Sequence, residues 1–271
     1  MTSDEFPDTV RDDDPAFDTS VAHQARVYNY LLGGKDHYAP DRAFARELET
    51  IFPDIVSVAR ANRDFLGRAV RFLAGEAGLS QFLDIGTGIP APGSTHEVAQ
   101  EVRPDARIVY VDRDPVVLSH ARAFLVGRDP GTTDYLDADL REPEVILERA
   151  AGTLDFSKPV GLLLLAILHA IPDDDAYRIM ATLVDALPSG SYVAISHASK
   201  ERLGAEANAK VADLSRRTSR EQYVLRDHAG VARFFEGLDL VEPGVVPPHE
   251  WRPGPRELAS NDVLVGVGRK P

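Results

Sequence analysis

Apolar runs alternate with amphipathic stretches along most of the chain, beginning near residue 81. A short unbroken apolar run is typical of a strand buried on both faces, whereas apolar residues three or four positions apart are typical of a helix. The clearest run, VGLLLLAIL at residues 160–168, predicts the central strand of a sheet. Further strands are predicted at residues 82–85, 108–111, 134–139, 192–196, 238–246 and 263–267.

Helical patterns separate these runs, so that strands and helices alternate. This alternation predicts an α/β fold with a doubly wound, mainly parallel sheet. The last two runs suit an antiparallel pair, because the link around residues 251–256 is short. Residues 81–271 are therefore predicted to form one sheet domain.

The first 80 residues follow a different pattern. Residues 1–20 contain seven acidic residues and one arginine, with few large apolar groups, which predicts a disordered acidic tail. Three helical patterns follow, at residues 21–32, from Pro40 to residue 53, and at residues 54–74. Residues 21–80 are therefore predicted to form an N-terminal helical cap.

A glycine-rich loop follows the first predicted strand, in the sequence FLDIGTGIPAPGSTHEV at residues 82–98. Gly86 and Gly88 free the backbone from the steric limits that a Cβ atom imposes, and Ser94 with Glu97 forms a capping box for a helix. Such a loop lies at the carboxyl edge of a parallel sheet, where ligands bind. The alternative is an ordinary turn between a strand and a helix.

Acidic residues stand at or near the ends of the next two predicted strands. Asp112 follows the second strand, where a carboxylate can accept both hydroxyls of a ribose. Asp139 closes the third, where it could accept from an adenine amino group or simply face solvent in a turn. Both interpretations of Asp139 remain open.

The run RVYNYLLGGKDHYAPDR at residues 26–42 places three tyrosines, including Tyr28, with a lysine and a histidine around a double glycine. It predicts either a lid over a ligand or an amphipathic helix with half-buried tyrosines. In the third helix, Asn62 and Arg63 lie one turn from the end that would approach the loops of the sheet.

Composition excludes several classes of mechanism. The chain of 271 residues has no cysteine, which removes disulfides, thiolate metal sites and cysteine nucleophiles. Its formal charge of −13 disfavours a nucleic-acid partner, since such proteins gain affinity from cationic contacts with phosphate. No apolar run approaches the ~20 residues needed to span a bilayer, and the acidic N-terminus is unlike a signal peptide. We therefore expect a soluble cytoplasmic protein without a membrane partner.

The successive strand-end motifs resemble those of the class I S-adenosylmethionine-dependent methyltransferases over residues 81–268. They are Asp84-x-Gly86-x-Gly88, Asp112, Asp139 and the strand that ends at His169. The resemblance implies a Rossmann-like sheet of seven strands whose last strand is antiparallel. More narrowly, VYNYLLGGKDHY, LDIGTGIPAPGSTHEVA and GLLLLAILHAIPD resemble a bacterial S-adenosyl methyltransferase family with largely undefined substrates. One departure is Pro90, which replaces the third glycine of the general motif.

The same resemblance implies S-adenosyl-L-methionine as the cofactor and requires no metal. The implied cofactor-binding residues are Tyr28, Asn62, Arg63, Asp84, Gly86, Thr87, Gly88, Asp112, Arg113, Asp139, Leu140 and Ala166.

The position of His169 resembles that of the general base in small-molecule O-methyltransferases, and this resemblance makes it the candidate catalytic residue. A histidine can take a hydroxyl proton during methyl transfer. Those enzymes follow the histidine with an acid and a tryptophan, whereas this chain has Ala170 and Ile171. The alternative is a histidine that only packs beneath the site.

Three functions are compatible with these motifs. The first is a methyltransferase acting on a small hydroxylated or carboxylated molecule, with oxygen as the preferred target. The second is a cofactor-binding protein without catalysis. The third is an NAD-dependent dehydrogenase, because Gly86-x-Gly88-x-x-Ala91 satisfies a relaxed dinucleotide fingerprint. No tyrosine has a lysine four residues later, which disfavours a short-chain dehydrogenase. The oligomeric state is left open.

Overall fold

A computed structural model describes residues 18–124, 129–201, 203–219, 223–254 and 260–271. Residues 1–17 of the predicted acidic tail lie outside the described residues. Within the described ranges, no helix is both long enough and apolar enough to cross a membrane. The same ranges contain no cluster of three or more histidine, aspartate or glutamate side chains that could hold a metal ion.

In the part of the chain that the structure describes, seven strands form one mixed sheet in the order β3-β2-β1-β4-β5-β7-β6. Strands β1 to β5 run parallel, and β7 is antiparallel to both of its neighbours, as predicted. The strands are β1 Gln81–Ile85, β2 Arg107–Asp112, β3 Thr132–Asp137, β4 Gly161–Leu165, β5 Tyr192–Ala198, β6 Asp239–Leu240 and β7 Val263–Arg269. Because the order reverses between β1 and β4, a crevice opens where the carboxyl ends of these two strands diverge.

Three predicted strands were wrong in their bounds. The run at residues 160–168 is a strand only to Leu165, because Ala166 adopts a left-handed conformation (φ 54°) and a 3₁₀ turn follows at Leu168–Ala170. The strand predicted at residues 134–139 starts and ends two residues earlier, which leaves Asp139 beyond its end. The sixth strand is reduced to two residues.

Nine α-helices are found in the described ranges. They are α1 Gln24–Leu31, α2 Ala39–Ile51, α3 Ile55–Gly75, α4 Thr95–Val102, α5 Pro115–Phe124, α6 Pro143–Ala150, α7 Asp173–Ala186, α8 Gly204–Thr218 and α9 His228–Ala232. The predicted capping box is present at α4, where Ser94 caps the helix and Glu97 bonds back to it. Three aspartates occupy the first turn of α7, where their negative charges interact favourably with the positive end of the helix dipole.

The helices cover both faces of the sheet, as a doubly wound fold requires. One apolar core packs residues of α6 and α7 against β1, β4 and β5, and includes Phe234 and Phe235. The other packs α3 and α4 against the opposite face and surrounds the fully buried Trp251.

The N-terminal helices form a third cluster above the carboxyl edge of the sheet. Apolar side chains of α1, α2 and the first turns of α3 pack there against Val211 and Leu214 of α8 and against Tyr223. The three predicted helices are therefore present, but they do not close the cluster by themselves. Helix α8, which follows β5 in sequence, supplies one wall.

A buried ion pair joins α1 to α2. Asp41, with no exposed surface, lies 3.3 Å from Arg26 Nε, and the Arg26 side chain is only 4% exposed. The carboxylate also accepts from the backbone N–H groups of His23 (2.9 Å) and Tyr38 (2.7 Å), which begin the two helices. One side chain thereby fixes the starts of both helices.

We expect Asp41→Ala to destabilise the protein by about 3–5 kcal/mol, because it strands a buried arginine and two backbone donors. Chemical denaturation followed by circular dichroism measures the loss. Glu206→Ala, which removes an exposed partner of Lys210 on α8, is the control and should not shift the midpoint. Equal midpoints for both variants would contradict the structural role of Asp41.

Candidate functional site

Two cavities meet above the carboxyl ends of the strands. The main cleft has an empty volume of about 930 Å³, solvent at its mouth included, and lies between the glycine loop, the strand ends and helices α1 and α3. The apolar chamber, of about 710 Å³ on the same measure, lies among α1, α2, α3, α8 and the end of β5. Four residues line both cavities and form the partition between them: Gln24, Tyr28, Asn62 and Ala166.

The glycine loop shapes the floor of the main cleft. Gly86 (φ 81°) and Gly88 (φ 67°) both have left-handed backbone conformations that a side chain would strain. A Cβ atom on Gly86 would also lie 2.7 Å from Ile167. Thr87, between them, donates its hydroxyl to the carbonyl of Asp84 at 3.2 Å. The loop can therefore bring its backbone close to a ligand.

An acid and a cation line the main cleft near this loop. Asp84 is buried and accepts from the Thr95 hydroxyl at 2.6 Å. Burial raises the pKa of Asp84 to about 6, although the Thr95 bond and the Arg63 charge lower it in part. Arg63 donates to the carbonyl of Ala91 at 2.7 Å, while its Nε is buried without a partner. This pair of opposite charges suits a zwitterionic ligand.

Asp112 presents an oriented carboxylate at the end of β2. Its Oδ2 accepts from the Gly88 N–H at 2.9 Å and its Oδ1 from the Asp114 N–H at 3.0 Å. Burial raises the pKa of Asp112, and these two backbone bonds oppose that shift. Each oxygen keeps a second lone pair. The group can therefore accept from two neighbouring hydroxyls.

Asp139 and its partners form the far wall of the main cleft. Arg113 and Arg141 each lie 3.1 Å from its carboxylate. Burial alone would raise the pKa of Asp139, but the bonds and charge of Arg141, with the charge of Arg113, lower it below its usual value. Leu140 and Ile167 add apolar surface beside it. An adenine contact by Asp139 stays a prediction, because two arginines already engage the carboxylate.

A chain of hydrogen bonds runs through the partition. The Asn62 amide donates to the Tyr28 hydroxyl at 2.8 Å, and Tyr28 donates to the carbonyl of Ala59 at 2.9 Å. The Ser196 hydroxyl donates to Asn62 Oδ1 at 2.5 Å and accepts from the Ala166 N–H at 2.9 Å. Burial raises the pKa of Tyr28, so this phenol is neutral. The predicted cofactor residues Tyr28 and Asn62 thus lie at the cleft with their polar ends engaged.

His169 was predicted to lie at the end of a strand. It lies instead in the 3₁₀ turn after β4, and it lines the apolar chamber. Gln24 Nε2 lies 2.5 Å from the carbonyl of Ala166 and 3.1 Å from His169 Nε2. Because a carbonyl only accepts, the amide presents its NH₂ group there, and His169 Nε2 accepts the second N–H. The imidazole proton is therefore on Nδ1. Both His169 Nδ1 and Gln24 Oε1 are buried without a partner.

Arg226 stabilises the 3₁₀ turn that contains His169. Its guanidinium is buried and donates to the carbonyls of Leu168 (2.8 Å) and Ile171 (2.9 Å) and to His197 Nε2 (2.7 Å). It also pairs with Asp173 at 2.8 Å. Burial, together with the charge of Arg226, lowers the pKa of His169 to about 4. His169 is therefore neutral near pH 7.

The structure brings the predicted cofactor residues together at one cleft, with His169 behind the partition. Sequence reasoning missed Gln24, Arg141, Ile167 and Arg226. Ile167 lies inside the GLLLLAILHAIPD segment but was not singled out there, and the other three belong to none of the quoted motifs. His23 was also missed. Its ring lies 2.8 Å from Asp114, whose backbone N–H donates to Asp112 in the main cleft.

We expect His169 to remain neutral from about pH 5.5 to 8, with its proton on Nδ1, because its pKa lies near 4. Long-range ¹H–¹⁵N correlation spectra distinguish the two tautomers, and His169→Gln assigns the signal. A titration near the ordinary histidine value of about 6.5 would contradict this. So would an Nε2–H tautomer.

Comparisons with known proteins identify a family and several solved structures that this chain resembles. A family model described as S-adenosyl methyltransferase matches residues 11–271. A DUF574 family protein from Streptomyces avermitilis is 42% identical, with a TM-score of 0.87, over 93% of this chain and 99% of that one. A candidate methyltransferase from Thermobifida fusca is 43% identical, with a TM-score of 0.86, over 94% and 97%. The mitomycin 7-O-methyltransferase shares the fold at 20% identity, with a TM-score of 0.51 over 90% and 71%. None of the curated proteins compared with the chain matches it.

Proposed function

The chain belongs to the S-adenosyl methyltransferase family, and from that premise we propose that it methylates an oxygen atom of a small molecule. The observation that carries the proposal is the partition between the two cavities. One cavity has the polar groups that fit the cofactor, and the other is an apolar space directly behind it. Membership of this family also removes the dehydrogenase alternative, although the relaxed dinucleotide fingerprint fits the loop.

The main cleft fits S-adenosyl-L-methionine group by group. Arg63, whose Nε is buried without a partner, would hold the methionine carboxylate. Asp84 would hold the ammonium group. Asp112 would accept the two ribose hydroxyls through its free lone pairs. The apolar surface of Leu140 beside Asp139 would face the adenine.

S-adenosyl-L-methionine, held by Arg63, Asp84 and Asp112, would supply an electrophilic methyl group on its sulfonium sulfur for transfer to the acceptor hydroxyl, with neutral S-adenosylhomocysteine and the hydroxyl proton as the other products. The chain's contribution is alignment, which alone can be worth roughly 7–11 kcal/mol. Tyr28, Asn62 and Ala166 hold the partition between cleft and chamber in one geometry. No metal is required for this step.

The general-base role of His169 remains a prediction with a stated structural requirement. Nε2 accepts from Gln24, so Gln24 must release it before it can take a proton. The lowered pKa of about 4 also makes His169 a weak base. If His169 acts as the base, the rate of methyl transfer would rise with pH through about 4, and not through the ordinary histidine pKa of about 6.5.

We expect Asp112→Ala to weaken cofactor binding by about 1.5–3 kcal/mol, which is roughly 10- to 150-fold, because it removes a charged hydrogen-bond acceptor. Calorimetric titration with S-adenosyl-L-methionine measures the loss. Asp137→Ala removes an exposed acid at the end of the neighbouring strand and is the matched control. A folded Asp112→Ala protein with normal affinity would remove Asp112 from the cofactor site.

The affinity for S-adenosyl-L-methionine should rise with pH through about 6, because Asp84 must lose its proton to pair with the ammonium group. Above that value the carboxylate is charged and affinity should level off, until the amino group itself titrates near pH 8. Titrations at a series of pH values, repeated on Asp84→Asn, give the measurement. The variant should lack this rise. A wild-type affinity that is flat from about pH 5 to 7 would assign the ammonium group elsewhere.

A further inference from the structure

The apolar chamber has a composition that restricts what can bind there. Most of its lining is aliphatic or aromatic, from α1, α2, α3 and α8. Among the described residues that line it, none has a charged side chain. Arg226 lies behind His169, but its donors are directed to two carbonyls, His197 and Asp173. A charged ligand would lose its hydration in this chamber without gaining a counterion.

Two unpaired polar atoms belong to side chains that line this apolar space. Gln24 Oε1 is an acceptor, and His169 Nδ1 carries the proton and is a donor. Both are buried without a hydrogen-bond partner. Leaving such atoms unpaired costs about 1–3 kcal/mol each. The 3.1 Å contact between these side chains joins Gln24 Nε2 to His169 Nε2, so Gln24 Oε1 and His169 Nδ1 lie outside it and each needs a partner of its own. A ligand hydroxyl can donate to Gln24 Oε1, which is the one of the two that belongs to the partition.

The position of this pair relates it to the reaction. Gln24 belongs to the partition and therefore lines the main cleft as well as the chamber. Its amide is fixed by the carbonyl of Ala166, the residue whose left-handed conformation ends β4. A hydroxyl bound to Gln24 would thus lie at the wall that faces the cofactor.

We infer that the apolar chamber is the site of the methyl acceptor, and that this acceptor is an uncharged, mainly apolar molecule whose hydroxyl donates to Gln24 Oε1. The assignment rests on the methyltransferase function proposed above and narrows it. It selects hydroxylated over carboxylated acceptors. The walls of the chamber determine which molecules fit.

Binding of two matched probes tests the inference. Beta-naphthol is neutral with one hydroxyl, and beta-naphthoate has the same ring system with a carboxylate. Each is titrated into protein saturated with S-adenosylhomocysteine, which occupies the main cleft. We expect beta-naphthol to bind at least about tenfold more tightly than beta-naphthoate, because the anion is not paired in the chamber. The His169 Nδ1–H signal should shift when beta-naphthol binds.

Variants locate the bound probe. Gln24→Met should weaken beta-naphthol binding about fivefold, the worth of one neutral hydrogen bond. Val211→Phe, which narrows the chamber from α8, should abolish it. His249→Leu, at a histidine outside both linings, should have no effect. S-adenosylhomocysteine affinity and the melting temperature report whether each variant is folded.

The outcomes separate the two proposals. A wild-type protein that does not bind S-adenosylhomocysteine would overturn the proposed function. If it binds that molecule, the acceptor inference is overturned by absence of saturable beta-naphthol binding, by equal binding of beta-naphthoate, or by competition of the probe with S-adenosylhomocysteine. It is also overturned if a folded Gln24→Met protein binds beta-naphthol normally.

Discussion

The hydrogen-bond chain from Ser196 through Asn62 to Tyr28 is the contact on which the site depends. It joins β5, α3 and α1 at the point where the two cavities meet. Each neutral bond contributes only about 1 kcal/mol net, but an unpaired buried polar atom costs about 1–3 kcal/mol. Displacing any member would therefore leave its neighbours unpaired. This cost holds the cap helices and the sheet in one relative position.

The hydrogen-bond chain separates the charged side chains of the main cleft from the uncharged lining of the apolar chamber. On the cleft side, burial raises the pKa values of Asp84 and Asp112, so these carboxylates would be relieved by a cationic or hydroxylated ligand. On the chamber side, burial lowers the pKa of His169 and keeps it neutral. The same physical effect, desolvation, thus prepares one side for a charged cofactor and the other for an uncharged molecule.

The sequence was informative where a local rule determines the structure. The run around Gly86 and the capping box at Ser94 could be predicted, because the left-handed backbone and the helix start each require particular residue types. The end of β4 could not, since hydrophobicity continues through Ala166 into the 3₁₀ turn and alanine gives no sign of a left-handed conformation. Gln24 was equally hidden. Its importance arises from contacts with Ala166 and His169, which are distant in sequence and meet only in the folded chain.

The wall that α8 gives to the N-terminal cluster constrains how the molecule assembles. Helices α1 to α3 are synthesised before the sheet, whereas Val211 and Leu214 follow five strands later. Until then the apolar faces of the first helices have no complete cover, and long-range contacts of this kind form slowly. The cap can therefore complete its native packing only after α8 has been made, although its helices precede every strand of the sheet.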